Sequence, residues 1–331
     1  MKLMKAAITT RYGPPEVVRI EEVPKPKAEG EATLVQVTAS AVNSGDARIR
    51  AMRVPAGMGW MVRLGFGIFK PRNPILGTDF IGTVESVGEG SLHSIGETVI
   101  GSLGTRMGTH AEYVAVPKTG VLVSPPENLG PAESVSLIFG GVTALHFLAE
   151  KADLKSGEHL LINGATGSVG VAAIQIAKHL GAEVTAICSG TNADLARSLG
   201  ADHVIDYATT DFSTESTEYD VIMDNVGTAP WSRSKRALKE GGRLVLVAAS
   251  LPSMLAGALR PKRRSRHIIV GVAQASASYI QNLVSLAEVG LIVPVVEQSF
   301  PLDEIVDAHR LVDSGRKRGS VIINVNSGGG S

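Results

Sequence analysis

The sequence predicts an α/β chain: a doubly wound parallel sheet joined to a second, mostly antiparallel β domain. Three observations carry this. From about residue 127 onward, strand-like apolar runs alternate with helical periodicity across short loops, the pattern of βαβ units. Within that stretch, Leu160-Leu161-Ile162 runs into Gly164-Ala165-Thr166-Gly167-Ser168-Val169-Gly170 and then into a helix-like segment. Residues 1–126, by contrast, show short β-patterned runs broken by Gly and Pro, without long helical periodicity.

Taken in order, the first region is expected to form strands at 6–9, 16–22, 32–42, 81–87, 98–100 and 111–116, each bounded by turn residues. Helices are expected at 132–137 and 143–151. Strands then fall at 159–163, 183–188, 203–205, 221–224, 243–247 and 267–270, with helices at 169–180, 193–199, 232–238 and 278–289. In the helix that follows the glycines, Val169, Ala172, Ala173, Ile176 and Ala177 recur at the spacing of one buried face. The last segment, strand 292–300, helix 303–314 and strand 320–325, is expected to pack back onto the first domain. The resulting division is 1–126 completed by 273–326, a dinucleotide-binding unit at 127–272, and a linker-like tail at 327–331.

Size and composition agree with two ordinary cores: 331 residues with 44% hydrophobic content. Lys plus Arg and Asp plus Glu both number 32, so no global charge points to nucleic acid or to an anionic membrane. The single cysteine, Cys188, can form neither an internal disulfide nor a cysteine-rich zinc site, which favours a reducing, cytoplasmic setting. No apolar run approaches the roughly 18 residues of a spanning helix. The opening MKLMKAAITTRYG lacks a signal-peptide core and is expected to start as a β-strand.

Strand, glycine turn and helix start together form a diphosphate site. Glycines let the backbone approach the phosphates, while the free N–H groups and dipole of the helix favour an anion. Gly164, Thr166, Gly167, Ser168, Val169 and Gly170 are therefore the candidate contacts. A second strand at the expected distance, Glu183-Val184-Thr185-Ala186-Ile187, supplies the βαβ context. That strand ends Cys188-Ser189-Gly190-Thr191-Asn192 with no acid, whereas an NAD-preferring site places Asp or Glu there for the ribose 2′-hydroxyl. Ser189 and Asn192 would tolerate a 2′-phosphate, which points to NADP(H). The nearest cation, Arg197, either faces that phosphate or is solvated.

These motifs, with Gln175-Ile-Ala-Lys178, Leu199-Gly-Ala-Asp202, Tyr219-Asp-Val-Ile-Met-Asp224, Gly241-Gly-Arg-Leu244 and Gly315-Arg-Lys-Arg-Gly319, resemble the medium-chain dehydrogenase/reductase superfamily almost end to end. The resemblance is to its zinc-free quinone oxidoreductase branch. It implies a Rossmann domain inserted in a split GroES-like catalytic domain, usually a homodimer, with the cleft between the two. Zinc-containing relatives carry Cys-x-x-Asp and Gly-His-Glu; here Asn43-Ser-Gly-Asp46 and Gly77-Thr-Asp79 stand at those places. Without thiolate or imidazole no metal site is expected. By the same resemblance Tyr207 lies at the adenosine phosphate edge, Asn225, Val226 and Gly227 beside the nicotinamide ribose, Thr143 against the nicotinamide, and Ala248-Ala249-Ser250 near its carboxamide. Each could instead cap a helix or strand.

Without a metal, donors must hold the negative charge that develops on the acceptor oxygen. Quinones and α,β-unsaturated carbonyls suit such a site because conjugation already spreads the charge. Asn43 is the candidate donor, or else a turn-stabilising residue; Asp46 orders its loop or starts a helix. His110, His146 and His159 are read as structural. The apolar stretch from Met52 to Phe69 is either a flap favouring a small hydrophobic acceptor or a segment buried in the core or a dimer. Arg260-Pro-Lys-Arg-Arg-Ser-Arg266 raises an alternative, a nucleotide-regulated RNA-binding protein with little turnover, although such runs are usually solvated.

Overall fold

Two sheets organise the chain in the computed structural model, which describes residues 2–53, 59–248 and 266–325. An antiparallel ribbon, β1 (Leu3–Thr9) with β2 (Val18–Pro24), opens it. Then come β3 (Thr33–Val42), β4 (Asp79–Val87), β5 (Thr98–Ser102), β6 (Tyr113–Val116) and β7 (Val121–Val123), all paired antiparallel. Two helices interrupt them that residue periodicity does not announce: α1 (Ser44–Ala51) and α2 (Gly59–Phe66). Helix α1 is nucleated by its cap. The Asn43 N–H donates to the Asp46 carboxylate at 2.7 Å, satisfying a donor that a helix start otherwise leaves free.

Between the domains runs α3 (Pro131–Ala144), which continues as a wide π turn through Leu145–Lys151. One continuous rod thus replaces the two helices expected on either side of Gly140 and Gly141. Those glycines do not break it because they are where neighbours press closest. A Cβ on Gly140 would lie 2.1 Å from the Ser168 carbonyl oxygen, and one on Gly141 2.5 Å from the Leu283 side chain. Packing on this face outweighs the roughly 1 kcal/mol helix penalty of a glycine.

The second sheet is built from β8 (His159–Asn163), α4 (Ser168–His179), β9 (Glu183–Cys188), α5 (Ala193–Ser198), β10 (His203–Asp206), β11 (Tyr219–Asp224), α6 (Trp231–Ala237), β12 (Leu238–Leu246) and β13 (His267–Val270). Its six strands are all parallel, in the order β10-β9-β8-β11-β12-β13. That is the doubly wound arrangement, whose switch point lies outside the carboxyl ends of β8 and β11. After α7 (Ala277–Glu288), strands β14 (Val296–Pro301) and β15 (Ser320–Asn324), with α8 (Ile305–Asp313) between them, return to the first sheet. There β15 pairs antiparallel with β3.

The principal core crosses both domains, from Ala39, Ile81 and Ile100 through Val135, Ile138 and Val142 of α3 to Leu160, Ile162 and Val184. Each such fully buried Leu, Ile or Val contributes about 1.5–3 kcal/mol relative to exposure. Helix α3 is the wedge that holds the cleft in register. Among the described residues one helical stretch, Pro131–Lys151, is long and apolar enough to cross a membrane, and it is mostly buried inside the protein. The stretch from Met52 to Phe69, described from Gly59 onward, is not core: Trp60, Leu64 and Phe69 are exposed and α2 buries no residue.

Candidate active site

The glycine loop bridges β8 and α4 at the switch point. Gly164 has φ +74°, a left-handed conformation that glycine adopts freely. Gly170 serves packing: a Cβ there would sit 2.3 Å from the Gly164 carbonyl oxygen. Gly167 differs, because a Cβ would meet nothing nearer than 3.8 Å. Its open side faces the cleft at the N-terminus of α4, and a diphosphate fits there. The tail of the chain is stitched onto this loop. The Gly319 N–H donates to the Thr166 carbonyl at 2.8 Å, and Lys317 Nζ donates to Ser168 Oγ at 2.6 Å. Burial pushes the Lys317 ammonium down to about 8, with Glu297 opposing the shift.

Beyond the loop lies a cavity of about 950 Å³ whose walls include Gly164, Thr166, Gly167, Ser189, Asn192, Tyr207 and Val226. Ser189 and Thr191 hydroxyls are 2.9 Å apart at the end of β9, and Asn192 Nδ2 donates to Thr166 Oγ1 at 3.2 Å. The cations on this wall are Arg233, Arg316, Lys317 and Arg318. Arg197 is not among them; it pairs with Asp194 at 2.9 Å on the helix surface. Sequence distance hides these residues, since three of the four come from a segment about 130 residues downstream of β9. Arg233 is itself engaged by Asp211, whose carboxyl it holds down at about 2.

At the other end a cleft of about 440 Å³ brings Gly164, Gly167, Ser168, Val169, Gly170, Asn225 and Val226 together with Ser44, Arg48 and Lys317 of the facing domain. Asn225 carries the clearest mark of a missing ligand. Both its Nδ2 and Oδ1 are buried with no hydrogen-bond partner among the described residues, and such a group costs about 1–3 kcal/mol until something bonds it. Its turn is organised by Asp224, which sequence reasoning passed over as part of a strand. Asp224 Oδ1 accepts N–H bonds from Val226 at 3.2 Å and Gly227 at 2.9 Å, and Oδ2 one from Ala229 at 2.9 Å. Gly227, φ +86°, completes the turn without lining either cavity. Thr143 is buried, and its hydroxyl donates to the Phe139 carbonyl at 2.7 Å, one helical turn back. Ala249 and Ser250, and the basic residues 260–265, lie outside the described residues. Arg266 pairs with Glu240 at 3.1 Å.

Asn43 is buried at the start of α1, and its amide is already engaged: Nδ2 donates to Asp79 Oδ2 at 3.0 Å and to Thr78 Oγ1 at 3.4 Å. Contact with an acceptor would require exchanging one of these bonds. Asp79 is raised to about 6, chiefly by burial, while hydrogen bonds from Ser102 and Thr78 oppose the shift and Asp46 adds to it. Asp46, also raised by burial, accepts the Gly77 N–H at 3.0 Å. A zinc ion would find the Asp46 and Asp79 carboxylates, an amide and a hydroxyl here, all already bonded to one another or to backbone, in place of the thiolate and imidazole of the zinc-containing relatives. Among the described residues no cluster of three or more His, Cys, Asp or Glu could hold a metal.

The profile described as alcohol dehydrogenase GroES-like domain matches residues 29–126, and that described as zinc-binding dehydrogenase matches residues 199–323. The chain is 31% identical over 335 residues to a 2-methylene-furan-3-one reductase of Solanum lycopersicum, covering 97% of this chain and 79% of the relative. It is 27% identical to a chloroplast envelope quinone oxidoreductase homolog of Arabidopsis thaliana, covering 97% and 98%. The solved quinone oxidoreductase from Coxiella burnetii superposes with a TM-score of 0.87 at 28% identity, over 98% of this chain and 100% of that one.

Proposed function

Because the chain belongs to the medium-chain dehydrogenase/reductase superfamily, with relatives of the quinone oxidoreductase and enoyl reductase types, we propose that it is a zinc-independent, NADPH-dependent reductase of quinones or α,β-unsaturated carbonyls. The observation that carries this reading is the cleft: the Asn225 amide and an open Gly167 on one wall, the polar donors Ser44 and Arg48 of the facing domain on the other. When bound, the reduced nicotinamide supplies a hydride to the electron-poor carbon of the acceptor.

The residues of this chain do the rest. Loop N–H groups and the α4 dipole hold the diphosphate, with Lys317 beside them. The free amide of Asn225 takes up ribose hydroxyls. Ser189, Thr191 and Asn192, with no acid at the end of β9, favour a 2′-phosphate, with Arg316 and Lys317 on the cavity wall while Arg233 and Arg318 are paired with Asp211 and Glu297. Donors alone then stabilise the oxygen that gains charge, which suits conjugated acceptors and not the deprotonation of an alcohol. Solvent returns the proton.

Coenzyme oxidation followed against quinones, enones and simple aldehydes tests this reading. Turnover is expected with the conjugated acceptors, tighter binding of NADPH than NADH, and no loss after chelator treatment. Absence of affinity for either coenzyme, or activity that depends on stoichiometric metal, would overturn it.

A further inference from the structure

Helix α1 presents Ser44, Ala47 and Arg48 to the same cleft that Asn225 and Val226 line, at the i, i+3, i+4 spacing of one helix face. Its two arginines, and Arg53 just beyond it, are treated differently. Arg50 is fully buried and bonds Asp313 at 2.5 Å, and Arg53 shares that carboxylate. Arg48 is half-buried, and among the described residues its guanidinium has neither a hydrogen bond nor an acidic partner. Burial, then repulsion from Arg53, pulls its charged form down. A desolvated cation without a counter-charge is costly unless a ligand supplies one. Two anionic groups could do so, the coenzyme diphosphate or the acceptor oxygen. Lys317 occupies the diphosphate end, bonded to the first residue of α4. The Asn43 amide is buried, lines neither cavity and is held by Asp79 and Thr78.

Resting on the reductase reading above, we propose that Arg48 is the charged donor that binds the acceptor's oxygen as it becomes an enolate or hydroquinone anion. The hydride forms the new C–H bond with its electron pair, and the displaced π pair moves onto the oxygen. Arg48 donates to that oxygen, the coenzyme leaves oxidised, and water protonates the product. The same cation makes acceptors with a carbonyl or carboxylate oxygen next to the reducible double bond the preferred class.

The test needs no turnover. 4-Nitrophenol, whose coloured anion mimics an oxygen-centred product, is titrated into the protein saturated with NADP⁺, for the wild type, Arg48→Met and Arg48→Lys. The wild type is expected to bind the phenolate form with a visible-band shift, Arg48→Met at least tenfold more weakly, and Arg48→Lys in between. NADP⁺ affinity should change less than twofold in either variant. Unaltered phenolate binding in Arg48→Met, no phenolate binding by the wild type, or a tenfold loss of NADP⁺ affinity would each overturn the assignment, the last by moving Arg48 to the diphosphate. Intact melting curves show that the variants fold. If phenolate binding depends on Arg48 while no enone or quinone is reduced, the reductase reading fails and the anion site stands.

Discussion

Two glycines three residues apart should fail in opposite ways. At Gly167 the backbone has φ −78° and ψ 174°, which alanine adopts, and a Cβ would find its nearest neighbour 3.8 Å away. Gly167→Ala should therefore fold, losing at most about 1 kcal/mol for a poorer helix cap. The added methyl occupies the open side that a phosphate would use. Displacing the diphosphate from one charge-assisted N–H bond costs about 1.5–3 kcal/mol, or roughly 10–150-fold in coenzyme affinity at 1.4 kcal/mol per tenfold. At Gly170 the Cβ would lie 2.3 Å from the Gly164 carbonyl oxygen and 2.5 Å from the Ala165 carbonyl carbon, backbone that cannot swing aside. Gly170→Ala should lower stability by about 1–3 kcal/mol, the cost of overpacking. Thermal melts and fluorescence titration of NADPH separate the two effects. Wild-type NADPH affinity in a folded Gly167→Ala protein would refute the assignment of the diphosphate to this loop.

Lys317 in the free protein loses its charge near pH 8. A bound dianion raises that value, so coenzyme affinity should hold below about pH 7 and decline above 8, and Lys317→Met should flatten the profile, as calorimetry across pH would record. His309 is fully buried with neither ring nitrogen bonded among the described residues, and burial, with His110 and Arg50 nearby, keeps it well below 6.5. Below about pH 6.5 the unfolded chain binds a proton that the folded state refuses. Stability should then fall with decreasing pH by up to about 1.4 kcal/mol per unit, a slope that His309→Phe removes in urea titrations. Arg50→Met deletes the buried guanidinium that bonds Asp313 at 2.5 Å and the Gly13 carbonyl at 2.8 Å. The unfolding free energy from denaturant titration should drop by an amount near the lower end of about 3–5 kcal/mol, since Asp313 keeps Arg53.

Much of the architecture was legible because it depends on neighbours in sequence. Alternating apolar runs specify the parallel strands, and the Gly164, Gly167, Gly170 spacing marks a strand-to-helix turn whatever lies around it. Helix α1 was not legible. Eight residues are too few for a period, and its start depends on a single Asn43–Asp46 bond. The glycines of α3 read as a break because their closest contacts, Ser168 and Leu283, are remote in the chain.

The glycine turn was readable from local chemistry: Gly164, Gly167 and Gly170 belong to one strand-to-helix turn, and the lack of an acid after β9 is visible in the residues themselves. The charges that complete the cleft were decided by packing. Arg316, Lys317 and Arg318 reach the loop only because β15 pairs with β3 and Gly319 bonds Thr166. Among the described residues Arg48 has no acidic partner, while Asp313, on the same cleft, bonds Arg50 and Arg53. A backbone turn carries its conformation in its own residues, whereas the partner of a charge is chosen by whatever the fold sets within a few ångströms of it.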